Sequence, residues 1–303
     1  MMKSAVAMSH SPLHFVIMVS EDVNLLVMKK LSHIQLAAMT TVTYEIHLIT
    51  YPIDVTTADW VEMFKCGSTQ RLFLGSALPH VDALLYCDID LIFLRPVEEL
   101  WRHLEDMTEN QSIAMSRNAE TEGAGWYPSH ARHPFFSTTG LNAGVMLFNL
   151  TRYRQQDLEG KVVMIYAKYK DILKYGDQDI LNILLHNRPG LVKILPCEWN
   201  FRTDFCDDTN RCQDAEKHGV GGLHGNRKMF YRRKMEPLLV EIYESFRKLD
   251  LGTSFQEQAR AHLEKTLKEI ADQRITRFGR FKCNKLYQIF LVGLRNEARK
   301  RGY

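Results

Sequence analysis

Short apolar runs alternate with amphipathic segments through the first 200 residues. The apolar runs predict buried strands, which are short and rich in apolar residues. They span 13–19, 44–49, 83–87, 112–115, 141–149 and 191–199. Segments with apolar residues every three or four positions predict helices. They span 21–38, 58–64, 70–78, 97–105, 162–175 and 178–185. Strands that alternate with helices predict an α/β fold with a mostly parallel central sheet.

The pattern changes near Glu236. Beyond this residue the chain is helical and amphipathic, with apolar residues four positions apart at Leu238, Ile242 and Phe246. We therefore expect residues 1–235 to form the α/β domain and residues 236–303 to form a helical C-terminal extension. From Arg274 onward the chain has nine Lys and Arg residues and one acid, a balance of +8. This stretch predicts either a solvated helical face or a contact with an acidic partner.

The amino-acid composition excludes some classes of protein and gives no reason to expect a nucleic-acid partner. The chain has 303 residues, 45% of them hydrophobic and 25% charged, which is typical of a globular protein and excludes a disordered or fibrous one. Its net charge of +3 gives no reason to expect a nucleic-acid partner. Six cysteines are too few for a disulfide scaffold, but Cys197, Cys206 and Cys212 cluster, which favours a disulfide among them in an oxidising compartment.

The main chemical signal is Asp88-Ile89-Asp90, which ends an apolar strand. Successive side chains of a strand alternate, so a spacing of two predicts that both carboxylates point to one face. Two like charges this close favour a cation between them, and oxygen ligands suit Mg²⁺ or Mn²⁺. The alternative is a pair of solvated loop acids. The pattern also resembles the first motif of haloacid-dehalogenase-type phosphatases, but Leu91 and Ile92 replace the residues usual there.

Three further polar positions follow along the chain. Asn142 and Gly144 begin an apolar strand, where glycine permits close backbone approach. Asp177 and Gln178 begin a helix, either as an N-cap or as groups that meet a sugar ring. His224 lies in a glycine-rich loop as a metal ligand or an ordinary histidine.

Basic residues follow His224 directly. Arg227 and Lys228 could hold a phosphate, since a guanidinium binds it as a fork and an ammonium as a point charge.

In chain order these segments resemble glycosyltransferase family 8, whose members have the GT-A fold. The upstream segment 68–74 and the Arg95-Pro96 pair belong to the same pattern. Segments 125–127, 131–136 and 195–202 are similar to the animal glucoside xylosyltransferases of that family. The resemblance extends from about Lys3 to about Phe290.

This resemblance implies a retaining transfer of xylose from UDP-xylose. The implied acceptor is a β-glucose O-linked to an EGF-like repeat, as on Notch-type receptors, and the implied linkage is α-1,3. The residues it implies are Asp88, Asp90 and His224 for Mn²⁺ (or Mg²⁺), Asp177, Gln178 and Asn142 for catalysis, and Arg71, Gly144, Asn226 and Lys228 for the donor. Because glutamine is a poor nucleophile, we favour front-face attack assisted by the departing phosphate oxygen over a covalent intermediate.

The chain also departs from the family. Members begin with a signal anchor, a stem and a strand that helps to hold uracil, whereas Met1 to Ala5 is similar to the helix after that strand. We therefore expect a truncated sequence whose full-length form is a type II membrane protein of the ER or Golgi lumen, since no targeting signal or apolar run of about 18 residues is present here. Tyr175 stands where Trp is usual.

Two alternatives stay open. One is a related transferase with a hexose donor such as UDP-glucose, because the donors differ by one CH₂OH group, worth only about 1–3 kcal/mol. The other is an inactive remnant that binds an acceptor or a partner without transferring sugar.

Overall fold

A computed structural model describes most of the chain. The described residues are 1–35, 42–50, 59–60, 67–207, 212–233, 236–249, 255–273, 288–290, 292 and 296. Among these residues, every helix is too short or too polar to cross a membrane. Most of the predicted helix 58–64 and most of the basic stretch beyond Arg274 lie outside the described residues.

Eight strands and eleven α-helices make up the described fold. The strands are β1 Leu13–Val19, β2 Val42–Leu48, β3 Ala83–Cys87, β4 Leu91–Phe93, β5 Ile113–Arg117, β6 Leu141–Asn149, β7 Val192–Leu195 and β8 Gly222–His224. The helices are α1 Met2–Met8, α2 Asn24–Gln35, α3 Leu74–Ala77, α4 Val97–Glu105, α5 Trp126–His130, α6 Leu150–Gln155, α7 Leu158–Tyr169, α8 Asp177–Asn187, α9 Gln213–His218, α10 Pro237–Arg247 and α11 Phe255–Gln273.

The central sheet has the order β3-β6-β5-β7. Strand β6 runs antiparallel to both of its neighbours, and β5 pairs parallel with β7. Three of the four strands therefore share one direction, which confirms the predicted α/β class. The prediction of a mostly parallel sheet needs a qualification, because the reversal of β6 makes two of the three strand pairings antiparallel. Beside this sheet, β1 and β2 form a parallel pair, and β4 and β8 form an antiparallel pair.

Several sequence predictions of elements need correction. The predicted strand 191–199 ends at Leu195, because Pro196 has no N–H for a sheet ladder and Cys197–Asn200 then forms a 3-10 turn. Strands β4 and β8 were not predicted, since three residues each are too few for a visible alternation. The short helix α5 lies in a stretch rich in glycine, proline and histidine, where no helix was predicted.

An ion-pair network fixes the 3-10 turn Cys197–Asn200. Arg95 donates two hydrogen bonds to Glu99 (3.0 and 2.6 Å) and one to Glu198 (2.8 Å). The Arg95 guanidinium lies 4.7 Å above the ring of Trp199, and Glu198 also pairs with His218 at 2.9 Å. These contacts tie the 3-10 turn Cys197–Asn200 to α4. Asn200 is the last residue of this turn.

The two ends of the described chain pack together. Helix α1 is almost fully buried, and α11 covers it: Gln256 donates to the Val6 carbonyl (2.7 Å) and Arg260 to the Ala7 carbonyl (3.1 Å). Apolar residues of α11, including Leu263 and Leu267, join the same core as β4. The C-terminal helices are therefore packed onto the fold and share its core.

A disulfide joins Cys197 to Cys212 across a separation of 15 residues. This pairing confirms the predicted disulfide within the cysteine cluster. Cys206, the third cysteine of that cluster, is disulfide-bonded as well. Cys87 is the free cysteine among the described residues.

We predict that the double variant Cys197→Ser/Cys212→Ser loses about 2–4 kcal/mol of unfolding free energy, because it releases a closed loop in the unfolded chain. Equilibrium unfolding in urea measures this loss. The variant Cys197→Ala/Cys212→Ala is the control, since it removes the same cross-link without adding hydroxyls. Unfolding free energies of both variants within about 0.5 kcal/mol of wild type would contradict the prediction.

Candidate active site

Asp88, Ile89 and Asp90 form a turn between β3 and β4. The turn is closed by the Leu91 N–H, which donates to the Asp88 carbonyl at 3.2 Å. Strand alternation is therefore the wrong explanation for the two carboxylates, because neither Asp is in a strand. They converge all the same: His224 Nε2 lies 3.6 Å from Asp88 Oδ2 and 3.4 Å from Asp90 Oδ1.

Strand pairing brings His224 to this turn. Leu91 in β4 is opposite His224 in β8, and the Gly225 N–H donates to the Asp90 carbonyl at 2.7 Å. The imidazole lies against Gly144 of β6, where a Cβ would come within 2.2 Å of the ring carbon Cε1. Gly144 therefore leaves room for His224, which is the close approach that its position in the sequence indicated.

The three side chains fit a divalent cation. One ligand atom from each of Asp88, Asp90 and His224 can be chosen so that all lie within 4.8 Å of one another. Octahedral ligands at about 2.1 Å from an ion lie about 3 to 4 Å apart, so these residues could hold one. Burial opposes ionisation of Asp90, but hydrogen bonds and nearby positive charge, those of His224 first among them, together hold the pKa of that carboxyl below its usual value.

Asn200 selects the nitrogen of His224 that faces the carboxylates. Asn200 Oδ1 lies 2.9 Å from His224 Nδ1, and Asn200 is fully buried. A carbonyl oxygen accepts, so Nδ1 carries the proton and Nε2 keeps its lone pair for a cation. Sequence reasoning assigned no role to Asn200. The only sequence signal for Asn200 was that a polar amide lies within the segment 195–202. Its hydrogen-bond partners could not be identified without the tertiary fold.

Arg71 is a buried guanidinium between two carboxylates. Its Nη2 donates to Asp88 Oδ1 at 2.9 Å, and its Nε lies 2.6 Å from Asp177 Oδ2. A third donor, Nη1, reaches the Ala143 carbonyl at 2.5 Å. The Tyr86 ring lies 4.4 Å from the Arg71 guanidinium carbon. Burial opposes the charge of Arg71, but the nearby groups Asp177, Tyr86 and Asp88 raise its pKa.

Asp177 is the first residue of α8 and does not cap it. The cap position is Gly176, whose φ of 51° favours glycine, so of the two alternatives for Asp177 the N-cap is wrong. The Asp177 side chain instead turns to Arg71, and Ser68 Oγ lies 3.3 Å from its other oxygen. Burial raises the pKa of Asp177, and the charge of Arg71 opposes this rise.

A chain of amides connects His224 to Gln178. Asn200 Nδ2 donates to Asn142 Oδ1 (2.7 Å), and Asn142 Nδ2 donates to Gln178 Oε1 (3.0 Å). The Ala143 N–H also donates to Gln178 Oε1, at 3.1 Å. The structure thus brings the predicted residues Asn142, Gln178 and His224 into one network, with Asn200 as the link.

The network continues into buried residues that sequence reasoning missed. Gln178 Nε2 donates to the Tyr127 hydroxyl (3.2 Å), which donates to Asp179 Oδ1 (2.8 Å). Asn182 also donates to the Tyr127 hydroxyl, at 3.0 Å. A signal existed, because Asp179 and Asn182 are polar positions within the apolar face of α8.

Asn226 and Lys228 follow His224 in a 3-10 turn, Asn226–Tyr231. Arg227 and Lys228 adopt left-handed backbone angles, with φ of 58° and 62°. Arg227 pairs with Asp204 at 3.3 Å, and Lys228 is exposed. The buried Oδ1 of Asn226 has no hydrogen-bond partner within the described part of the chain. These two predicted residues are thus adjacent to His224 in sequence but outside the amide network.

Comparison with known proteins identifies relatives of the whole chain. The profile of glycosyl transferase family 8 matches residues 68–220. Glucoside xylosyltransferase 1 of Homo sapiens is 35% identical over 312 aligned residues, which cover 99% of this chain and 68% of the human protein. Glucoside xylosyltransferase 2 of Xenopus laevis is 38% identical over 258 residues, which cover 82% of this chain and 60% of that protein.

Among solved structures, apo mouse xyloside xylosyltransferase 1 superposes with a TM-score of 0.53 and 19% identity. The match covers 75% of this chain and 90% of that chain. At this identity the similarity concerns the fold alone, which is of the GT-A type.

We predict that Asp90→Asn weakens Mn²⁺ binding by at least about tenfold, because it removes one anionic ligand. Calorimetric titration of Mn²⁺ into the protein measures the affinity. Asp106→Asn is the matched control, since that side chain is 72% exposed and pairs with Lys193 at 3.5 Å, away from the candidate site. Equal Mn²⁺ affinities of the wild type and Asp90→Asn would refute this site.

We also predict that Asn200→Ala weakens Mn²⁺ binding by about 10–100-fold, because His224 loses the partner that fixes its tautomer. Electron paramagnetic resonance of free Mn²⁺ gives the bound fraction. Asn200→Asp keeps an acceptor for Nδ1 but loses the donor to Asn142 Oδ1, so its Mn²⁺ affinity should lie between those of wild type and Asn200→Ala. A loss of affinity in the Asp variant as large as in the Ala variant would contradict the tautomer argument.

Proposed function

The chain belongs to glycosyltransferase family 8, and on this basis we propose that it transfers xylose from UDP-xylose to a β-glucoside. The proposed acceptor is a glucose O-linked to an EGF-like repeat, and the proposed product is an α-1,3 linkage formed with retention. The glucoside xylosyltransferases of Homo sapiens and Xenopus laevis support the choice of xylose and of a glucoside.

The observation that carries the proposal is the amide chain from His224 through Asn200 and Asn142 to Gln178. It joins the cation site to the start of α8 in one buried unit. We assign the diphosphate of the donor to the Asp88, Asp90 and His224 end. We assign its sugar to Asn142, Asp177 and Gln178.

A bound Mn²⁺ or Mg²⁺ would neutralise negative charge on the diphosphate leaving group. Asp88 divides its oxygens between two tasks, since Oδ1 accepts from Arg71 and Oδ2 faces His224. Arg71 is already engaged by Asp88 and Asp177, so we propose that it acts on the donor by positioning these carboxylates. Gly144 also acts indirectly, because its lack of a side chain leaves room for the His224 ring. Asn226 and Lys228 remain candidates for contact with the diphosphate.

The hydrogen bonds at Asp177 and Gln178 favour front-face attack. Both oxygens of Asp177 face donors, Arg71 and Ser68, and Gln178 Oε1 accepts two N–H groups. Each oxygen of Asp177 is held by a donor and both lone pairs of Gln178 Oε1 are occupied, which disfavours either residue as a nucleophile. We therefore propose that the acceptor hydroxyl attacks on the face that UDP leaves, and that its proton passes to the departing phosphate oxygen. The bond from the anomeric carbon to phosphate breaks as the bond to the acceptor oxygen forms.

We further propose that residues 1–235 form the catalytic domain and residues 236–303 its helical extension. The packing of α10 and α11 onto the fold supports an extension that stabilises the domain. We propose the ER or Golgi lumen as the location. The Cys197–Cys212 disulfide supports this, because disulfides persist in oxidising compartments.

We predict that UDP-xylose exceeds UDP-glucose and UDP-galactose in kcat/KM by at least about tenfold, with Mn²⁺ and an O-glucosylated EGF repeat as acceptor, because a pocket closed around xylose excludes the CH₂OH group. UDP release measures the rate. The NMR coupling between H1 and H2 of the product measures its anomeric configuration.

Each other outcome has a distinct meaning. A higher kcat/KM with UDP-glucose would favour the hexose-transferase alternative, and acceptor binding without turnover would favour the binding-protein alternative. A glycosyl adduct on Asp177, trapped by mass spectrometry, would overturn front-face attack.

A further inference from the structure

Two segments of the chain match the acceptor pattern for N-linked glycosylation, which is asparagine, any residue except proline, then serine or threonine. They are Asn110-Gln111-Ser112 and Asn149-Leu150-Thr151. Neither segment has a part in the proposed transfer of xylose. Their surroundings in the fold differ, and this difference separates a modification site from a chance match.

Asn110 is exposed in a turn that is held by its backbone. The Gln111 N–H donates to the Thr108 carbonyl at 3.0 Å, which closes the turn. Two side chains of α6 and the residue after it anchor the turn: Arg152 Nη1 donates to the Thr108 carbonyl (2.8 Å), and Gln156 Nε2 donates to the Asn110 carbonyl (2.9 Å). All these contacts use backbone carbonyls. A glycan on the Asn110 side chain would therefore leave them in place.

Ser112 has a hydroxyl that the fold does not use. The residue is fully buried, and its Oγ has no hydrogen-bond partner among the residues that the structure describes. Burying a hydroxyl without a partner costs free energy. The backbone of Ser112 is paired, since its N–H donates to the Leu191 carbonyl and its carbonyl accepts from the Asn149 N–H, both at 2.9 Å. An alanine would keep both bonds, so packing gives no reason for serine, whereas the glycosylation pattern requires it.

The second segment has structural partners for both of its pattern side chains. Asn149 Oδ1 accepts from the Arg152 N–H at 2.9 Å and so caps α6. Thr151 Oγ1 donates to Asp82 Oδ1 at 2.8 Å. Asn149 is also partly buried, as the last residue of β6. These roles explain the asparagine and the threonine without any modification.

Asn110 is far from the candidate active site along β5. In the pairing of β5 with β6, Ile113 is opposite Phe148 and Ser116 is opposite Asn142. Asn110 precedes the Ile113 end of β5, whereas the candidate sugar site is at the Ser116 end. A glycan at Asn110 would therefore leave the candidate site accessible.

We propose that Asn110 carries an N-linked oligosaccharide and that Asn149 does not. This inference rests on the proposed lumenal location, because N-linked glycans are added to proteins of the secretory route. The co-reactant is an oligosaccharide bound to a lipid diphosphate. Asn110 Nδ2 bonds to the anomeric carbon of this oligosaccharide as the bond from that carbon to phosphate breaks. Nδ2 loses one proton, and the lipid diphosphate leaves with the bonding electrons.

Glycan mapping tests the site directly. The chain is produced in animal cells behind a cleavable secretion signal, so that its entry into the lumen does not depend on the proposed location. Peptide N-glycosidase in ¹⁸O-water converts a glycosylated asparagine to a labelled aspartate, which mass spectrometry locates. We expect the label at Asn110 and a gel shift of one glycan. Asn110→Asp and Ser112→Ala should abolish the shift. Asn149→Asp is the matched control, since it breaks the other pattern but keeps the cap oxygen, and it should retain the shift.

Thermal unfolding of the deglycosylated protein tests the argument from Ser112. Ser112→Ala should leave Tm unchanged or raise it, because the buried hydroxyl has no partner to lose. Ser4→Ala is the matched control, since Ser4 is buried too, but its Oγ accepts from the Phe93 N–H at 3.0 Å and donates to the Met1 carbonyl at 2.7 Å. That variant should lower Tm by about 2–4 °C. An equal fall in both variants would overturn the assignment of the Ser112 hydroxyl to glycosylation.

The outcomes separate this inference from the proposed function. Secreted protein without a label at Asn110, or with a label at Asn149, overturns the inference. Asn110→Asp should transfer xylose as wild type does, so loss of the glycan leaves the proposed function intact. A glycan at Asn110 in protein that transfers no sugar supports the site and counts against the proposed function.

Discussion

The guanidinium of Arg71 holds together two carboxylates that are far apart in sequence, Asp88 just after β3 and Asp177 at the start of α8. Without a buried cation between them, these two neighbouring anions would repel each other. The Ala143 carbonyl fixes the third donor of Arg71, so the guanidinium cannot follow one carboxylate at the expense of the other. Arg71 therefore connects the candidate cation site directly to the candidate sugar site.

Two glycines give the second constraint. Gly144 lies beneath the His224 ring, and Gly140, just before β6, lies beneath the Tyr127 ring. Any side chain at either position would displace a ring that belongs to the hydrogen-bond network. The first half of β6 thus acts as a wall of backbone atoms against which both ends of the network rest. Because backbone atoms cannot change rotamer, this close contact holds the side chains of His224 and Tyr127 in place.

The sequence could indicate the parts of this site better than their connections. Asp88, Asp90 and His224 were predictable as a group, and the structure places them together, although by a turn rather than by strand alternation. Asn200 and Tyr127 were not predictable as members, because a buried amide or phenol gains its role from partners that only the tertiary fold supplies. The family profile and the α/β class followed from long motifs and periodic elements. The catalytic and donor roles remain predictions, because identity of position does not itself establish chemistry.

The contact between α1 and α11 affects how the chain folds during synthesis. Hydrogen bonds from Gln256 and Arg260 reach the carbonyls of Val6 and Ala7, so groups about 250 residues apart must meet before α1 is covered. Such long-range contacts slow folding, because the entropy of closing a large loop must be lost before the contact forms. During synthesis, α1 therefore stays incompletely covered until α11, about 250 residues further along the chain, has been made. During that interval α1 is a natural binding site for chaperones that recognise short apolar segments.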